Sequence, residues 1–243
     1  MSTPAPDPTP PESPDIAEFF FDPTCPFAWV TSRWVVEVAK QRPMRVRWRP
    51  LSLKLLNEPI SYAGRPADYP DAHQRGLEML RVVHAARERY GEDVVGDLYT
   101  ALGEEIWESP APDEATFEAV LAEEARPRDL AALLRRVGLD PELAEAAHDD
   151  RRDEALRAET CLAVDRAGGG VGTPVLTFDP PDGPSFFGPV IEAPPAGEEA
   201  LRLWDAVRTL AEHRGFAELK RAVRSFPRTP MSARIAGEAT RVG

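Results

Sequence analysis

At 243 residues, 42% hydrophobic and 29% charged, the chain has the composition of a globular protein that can bury a substantial core. Its 41 acidic residues against 29 basic ones give a net charge of -12, which argues against general nucleic-acid or anionic-membrane binding. No apolar run is long enough to span a membrane, and two cysteines, Cys25 and Cys161, are too few for a disulfide scaffold.

The chain begins MSTPAPDPTPPESPD, with six prolines in fourteen residues and neither the basic nor the apolar region of a secretion signal. Residues 1–15 are expected to form a stiff, disordered Pro-rich tail, and the compartment is expected to be the reducing cytoplasm. Ala17 to Asp22 (AEFFFD) reads as a short aromatic strand, and Asp22-Pro23 as a turn. A helix follows from Pro26 to Gln41. Proline suits its first turn, and Val30, Trp34 and Val38 give it one apolar face. After Arg42-Pro43, Met44 to Arg49 alternates apolar and basic residues, as a half-buried strand does.

From Asn57 to Ala167 the pattern is helical. Leu77, Leu80 and His84 mark one helix, and Leu98, Leu102 and Ile106 another. Asp113 is read as the cap of a third helix holding Phe117, Val120 and Leu121. Leu130, Leu133, Leu134 and Val137 form a fourth that Gly138 ends, Asp140-Pro141 opens a fifth, and a sixth runs from Arg151 to Arg166. The many acidic and arginine residues on these helices read as a solvated face. Val175–Phe178 and Ser185–Phe187 then flank the turn DPPDGP as a hairpin, and a last helix is expected from Gly197 to Phe226.

The order β-α-β, helical block, β-β-α is that of an α/β thioredoxin fold interrupted by a helical insertion domain. Residues 16–56 and 168–227 are expected to form the thioredoxin-like domain, 57–167 the inserted domain, and 228–243 a second disordered tail.

Chemistry concentrates in two places. Cys25 sits where the first helix begins, and the dipole and free amides there favour a thiolate. The alternative is a small packing cysteine. The second place is VGTP, Val171 to Pro174, where a proline heads a strand. A cis Thr173-Pro174 bond would turn the Thr173 backbone outward. An ordinary trans bond is the alternative. The four histidines, His73, His84, His148 and His213, are scattered without metal-ligand spacing, and GGGVGTP lacks the Lys-Ser/Thr of a phosphate loop, so neither a metal nor a nucleotide is expected.

The segments FFFDPTCPFAWVTSRW, VGTPVLTF and FFGPV, with GEEALRLWD and FAELKR beyond them, resemble the DsbA family of thioredoxin-fold oxidoreductases, and within it the mycothiol-dependent (nitro)reductase branch. The resemblance runs from about Ala17 to Arg221. Its D-P-x-C-P-W-C-W signature stands here as Asp22, Pro23, Thr24, Cys25, Pro26, Phe27, Ala28, Trp29. It implies that Cys25 is the nucleophile and that Thr173-Pro174 is a cis pair facing it. It further implies a helical lid and mycothiol, or another low-molecular-weight thiol, as co-substrate. Pro26, Phe27, Ala28, Trp29, Gly172, Thr173 and Pro174 are then the expected thiol- and substrate-binding residues. With 26 Arg and only 3 Lys, the composition suits a GC-rich genome and so a mycothiol-using bacterium.

The chain departs from the signature at Ala28, where the branch has its resolving cysteine. Cys161 is read as a structural, buried helix residue rather than its substitute. The favoured function is a monothiol oxidoreductase acting on mixed disulfides or small electrophiles, with a small-molecule thiol as partner and a homodimer compatible with the sequence. Two alternatives stay open: an enzyme like the kappa-class glutathione transferases, which activates a bound thiol, and a redox-inactive binding protein on the same scaffold.

Overall fold

A computed structural model describes residues 15–59, 62–221, 223–236 and 239–241. The expected N-terminal tail falls on residues 1–14, outside the described residues, and Asp15 already belongs to the first strand.

Strand β1 (Asp15–Phe21) lies at the centre of the main sheet, whose order is β2-β1-β3-β4. Helix α1 (Pro26–Gln41) carries the chain back to β2 (Met44–Pro50), which pairs parallel to β1 with Phe19 beside Trp48. Strand β3 (Val175–Phe178) pairs antiparallel on the other side of β1, with Phe19 opposite Leu176, and β4 (Ser185–Phe187) closes the hairpin. This β-α-β…β-β-α order, with helices between β2 and β3, is the interrupted thioredoxin fold.

The strand period of two separates the sheet's faces. Ala17, Phe19, Phe21, Leu176 and Phe178 share one face. Trp204 of α8 (Gly197–Glu212) packs on Phe178 and on Trp34 of α1, so these two helices cover that face. Each fully buried phenylalanine there stabilises the fold by about 1.5–3 kcal/mol. Glu18, Phe20, Val175 and Thr177 share the opposite face, where Phe20 and Val175 cluster with Leu51 and with Ala163 of α7 (Asp153–Ala167).

Between β2 and α7 run α2 (Leu53–Asn57), α3 (Tyr69–Tyr90), α4 (Asp93–Trp107), α5 (Phe117–Glu124) and α6 (Leu130–Arg136), then two 3-10 segments, Pro141–His148 and Asp150–Arg152. Leu80, Leu98, Trp107, Leu134 and Leu156 from this block belong to the same apolar cluster as Phe19 and Phe21. The helical block thus shares its core with the sheet.

Several expectations need correction. The third helix is capped by Thr116, whose hydroxyl accepts from Ala119 N, and not by Asp113. The Asp140-Pro141 start holds, but the segment winds as a 3-10 helix. Helix α8 ends at Glu212 rather than Phe226. His213 leaves it in an extended conformation, its Nδ1 accepts from Gly215 N, and the turn brings Phe216 onto Phe186.

The stretch read as a loose tail from 228 packs instead. Met231 and Ser232 are fully buried, and Met231 N donates to Trp107 O. Thr229 and Ser232 exchange reciprocal hydrogen bonds, which close this strap into a turn. Residues 237–238 and 242–243 of that expected tail lie outside the described residues. Strands β5 (Val223–Ser225) and β6 (Ala239–Arg241) pair antiparallel beside it.

Finally, not all the charge is solvated face: Glu18, 2% exposed, pairs with Arg166 and Arg49, and Arg49 and Arg87 both pair with Glu159.

Candidate active site

The site forms where β1 ends. Asp22 stops the strand by capturing the backbone ahead of it. Its wholly buried carboxylate accepts from Thr24 N at 2.9 Å and the Thr24 hydroxyl at 2.8 Å on Oδ1, and from Leu53 N at 2.7 Å on Oδ2. Its carbonyl accepts from Cys25 N at 3.0 Å. Cys25 is thereby held extended as the N-cap of α1, and Ala28 N donates to its Sγ at 3.4 Å.

Two helices of the block press on this turn. Trp107 Nε1 of α4 donates to Pro23 O at 3.0 Å. Gly76 of α3 lies so close that a Cβ there would stand 2.5 Å from Asp22 Oδ1 and 2.9 Å from Thr24 Oγ1.

The other wall comes from the loop before β3. Thr173-Pro174 is cis, as the family resemblance implied, and Cys25 Sγ donates to Thr173 O at 3.4 Å. Thr173 is 4% exposed, and its Oγ1 has no hydrogen-bond partner among the described residues. The two stretches singled out in the sequence, 148 residues apart, therefore meet at the sulfur. Pro26, Phe27 and Gly172 are half-buried at its margin, and Pro174 is buried. The Phe27 ring lies 6.2 Å from that of Phe226, which lies 5.9 Å from that of Phe117 on α5.

Ala28 and Trp29 do not reach a substrate in this arrangement. Both are buried. Trp29 Nε1 donates to Glu108 Oε1 at 2.9 Å, and the Arg33 guanidinium stacks 4.1 Å from the ring centroid. The helical turn that presents Cys25 rotates positions 28 and 29 into the core.

The expected thiolate also fails. Cys25 is 6% exposed, and burial pushes its thiol up to about 12, against the pull of the Ala28 and Phe27 N–H groups, while negative Asp22 adds to the rise. A helix N-terminus is worth about 0.3–2 kcal/mol to an anion, whereas full burial shifts a group by up to about 3–5 pKa units, so desolvation wins.

Burial likewise lifts the Asp22 carboxyl to about 6, although Leu53 N and Thr24 oppose it. Glu124, at the end of α5, is raised well above the usual carboxylate range by burial and then by Asp22, with Arg128 and Thr24 pulling the other way. His73 on α3 is depressed to about 4 by burial and by Lys54 and Arg65.

Cys161 is exposed on α7, not buried as expected, because its position on the helix turns it away from the Phe20 cluster that Ala163 joins. Among the described residues no cluster of His, Cys, Asp or Glu could hold a metal, and no helix is long and apolar enough to cross a membrane.

Glu124, Gly76 and Phe226 were not anticipated. Glu124 lies in AEEAR and reads like any solvated charge. Only the fold buries it, at 7% exposed.

A family model described as "Rv2466c-like: Mycothiol-dependent nitroreductase Rv2466c" matches residues 24–221. The chain is 31% identical over 228 residues to the Mycobacterium tuberculosis "Uncharacterized protein Rv2286c", spanning 92% of this chain and 87% of that one. Among solved structures it is similar to the cytosolic disulfide reductase DsbM from Pseudomonas aeruginosa, at 17% identity and a TM-score of 0.47 over 80% of this chain and 99% of that one. It is also similar to the thiol-disulfide exchange protein alpha-DsbA2 from Wolbachia pipientis, at 16% identity and a TM-score of 0.45 over 82% and 83%.

Proposed function

The chain belongs to the Rv2466c-like family of mycothiol-dependent nitroreductases, and from that premise we propose that it is a monothiol thiol-disulfide oxidoreductase in which Cys25 alone carries the exchange and mycothiol is the reducing co-substrate. One observation carries this reading. The Cys25 sulfur sits at a helix start, 3.4 Å from both Ala28 N and Thr173 O, while position 28 offers only a methyl group.

In this cycle the Cys25 thiolate attacks the mycothiol sulfur of a mixed disulfide. That disulfide breaks, and the substrate thiol leaves with a proton. A second mycothiol thiolate then attacks the Cys25–mycothiol bond, forming mycothiol disulfide and restoring Cys25. The substrate thiol is released in reduced form and one free mycothiol is oxidised, leaving as a disulfide with the mycothiol taken from the substrate, with no second protein thiol required.

The nucleophile is buried in the arrangement described, so turnover requires the sulfur to become hydrated as substrate enters. Phe27, two residues after Cys25, makes ring contact with Phe226, which in turn meets Phe117. The same burial favours a second reading, a redox-inactive binding scaffold.

One experiment separates the two readings: Cys25 alkylation followed against pH, with and without millimolar mycothiol disulfide, and intact mass measured afterwards. A single mycothiol adduct that the Cys25→Ser variant lacks supports the monothiol enzyme. No adduct at any pH, or full reductase activity in Cys25→Ser, sinks it.

A further inference from the structure

The strap that follows β5, residues 226–235, brackets the turn holding Cys25. On one side the Phe226 ring meets Phe27, two residues after the cysteine, at 6.2 Å. On the other side Met231 N donates at 3.2 Å to the carbonyl of Trp107, whose indole N–H holds Pro23 O, two residues before the cysteine. Met231 and Ile235 belong to the same apolar cluster as Cys25, and Phe226 packs against that cluster. The family match ends at residue 221, ahead of the strap.

The strap is tied down on both sides of the turn. Arg228 N donates to Glu192 O at 2.7 Å, and the Arg228 guanidinium pairs with the Glu192 carboxylate. Glu192 lies just after Pro189, whose carbonyl accepts from the Thr31 hydroxyl of α1 at 2.9 Å. At the other end Arg234 donates to Asp113 O, ahead of α5, while Phe226 meets Phe117 of α5 at 5.9 Å. These ties are weaker than what surrounds them. Helices α1 and α4 carry eight buried residues each. Residues 226–235 form no helix or strand, and Met231 and Ile235 are their apolar anchors. A segment with so few buried contacts opens before the helices do. Its release is therefore the least costly way to hydrate a sulfur that is 6% exposed.

We propose that this strap sets the substrate class of the site: it admits small disulfides to Cys25 and excludes disulfides carried on folded proteins. A small disulfide needs only the Phe226 ring to swing away from Phe27. A protein disulfide brings a surface with it, and the whole strap must leave its anchors. Phe226 is thus a specificity-determining residue, and Met231 fixes the strap that carries it. The proposal rests on the monothiol reading for its place in turnover, where the strap screens the disulfide that enters.

The test uses the full chain carrying Cys161→Ser, so that Cys25 is the only thiol. Two probes are compared, dipyridyl disulfide and a pyridyl disulfide attached to a folded carrier protein. With either probe, Cys25 loses its proton to water, its sulfur bonds to a probe sulfur, and the probe's S–S bond breaks. Pyridinethione leaves, takes up one proton, and gives the rate by its absorbance. Each rate is divided by that of N-acetylcysteine with the same probe, which removes the difference in probe reactivity.

The parent should favour the small probe by at least about a hundredfold, because the carrier must wait for two buried apolar side chains to withdraw. Met231→Ala should raise the carrier's rate by at least about tenfold and leave the small probe's within about twofold. Phe226→Ala should raise both rates, since the ring screens both. If Met231→Ala does not fold, Arg228→Ala with Arg234→Ala replaces it. Both arginines are exposed, and their loss should raise the carrier's rate by about two- to tenfold. Low urea should scarcely change the carrier's rate in the parent, because strap release exposes little surface.

The proposal is overturned by a parent that treats the two probes alike or that the small probe does not reach. It is equally overturned if the strap variant moves both rates together or neither, if Phe226→Ala leaves the small probe's rate unchanged, or if the carrier's rate climbs with urea as steeply as global unfolding. Intact mass with mycothiol disulfide on the same samples keeps this result apart from the proposed function. A mycothiol adduct with no discrimination between probes rejects only the strap's role. Discrimination with no adduct rejects only the monothiol cycle.

Discussion

Position 28 carries a methyl group, fully buried, one helical turn from a sulfur to which its own N–H donates at 3.4 Å. A thiol introduced there would sit at the C-x-x-C spacing and could attack the Cys25 sulfur of the Cys25–mycothiol disulfide, with mycothiol leaving as the thiolate. Ala28→Cys should therefore shorten the life of the Cys25–mycothiol adduct at least tenfold, which quenched intact-mass time courses would read, and leave an internal disulfide in its place. An adduct equally long-lived in that variant would mean that the two positions cannot meet, and the absence of a resolving thiol would no longer explain a monothiol route. The residues of this site divide by how local their cause is. The placement of Cys25, Pro26 and Thr173-Pro174 at a turn, a helix start and a strand head was legible in adjacent residues, while the cis bond followed only from the family resemblance. The protonation of Cys25 was not, because it depends on burial contributed by distant α3, α4 and α5. Trp29 misled for a related reason: a motif lists neighbours in sequence, while a helix sends consecutive side chains in different directions.

At the scale of elements, the site depends on how closely α4 approaches α1. Gly103 allows this, since a Cβ there would lie 2.2 Å from the Trp29 ring. That ring cannot yield easily. Its N–H is held by Glu108, Arg33 stacks on it, and Tyr99 meets it edge-on at 6.0 Å. Gly103→Ala should therefore destabilise the protein by about 1–3 kcal/mol, the usual cost of overpacking a filled core. It should also raise the modification rate of Cys25 at pH 7, as α1 and α4 separate and water reaches the sulfur. Urea unfolding and thiol modification on one preparation would check both, and unchanged stability would show that Trp29 is free to move. Helix limits were readable where local chemistry sets them, as with Pro26 and Arg42-Pro43 around α1. They failed where a side chain redirects the chain, as His213 does after α8. The strap from Pro227 to Ile235 was missed because two anchors, Met231 and Ile235, give no periodicity. Its one local sign was Thr229-x-x-Ser232, the spacing of a reciprocal cap.

Over the whole molecule, the buried ionisable groups around the site make stability depend on pH in opposing ways. Asp22 holds its proton to about pH 6 in the fold, against 3.8 for a free carboxyl. Its contribution is complete below 3.8 and is lost as pH rises to about 6. Glu124 is raised too and adds a loss of the same sign. His73 is depressed from 6.5 to about 4, so its contribution is complete above 6.5 and is lost as pH falls to about 4. Between pH 4 and 6.5 Asp22 gives a falling slope and the imidazole a rising one, each on the order of 3 kcal/mol across the window for a shift of about two units, and Glu124 adds to the fall. The Asp22 and His73 slopes nearly cancel, so the parent protein should lose stability from pH 4 to 6.5 by the part that Glu124 contributes. His73→Gln, which can keep a hydrogen bond to the Tyr62 hydroxyl that meets His73 Nδ1 at 3.2 Å, removes the rising component, so its urea midpoint should fall steadily over that range. Glu124→Gln removes part of the falling component, so its midpoint should rise relative to the parent. Two variants that tilt in opposite directions from the parent would show that these buried groups set the pH dependence of its stability. Parallel tilts, or none, would mean that these groups are hydrated in solution and that the site is open far more often than closed.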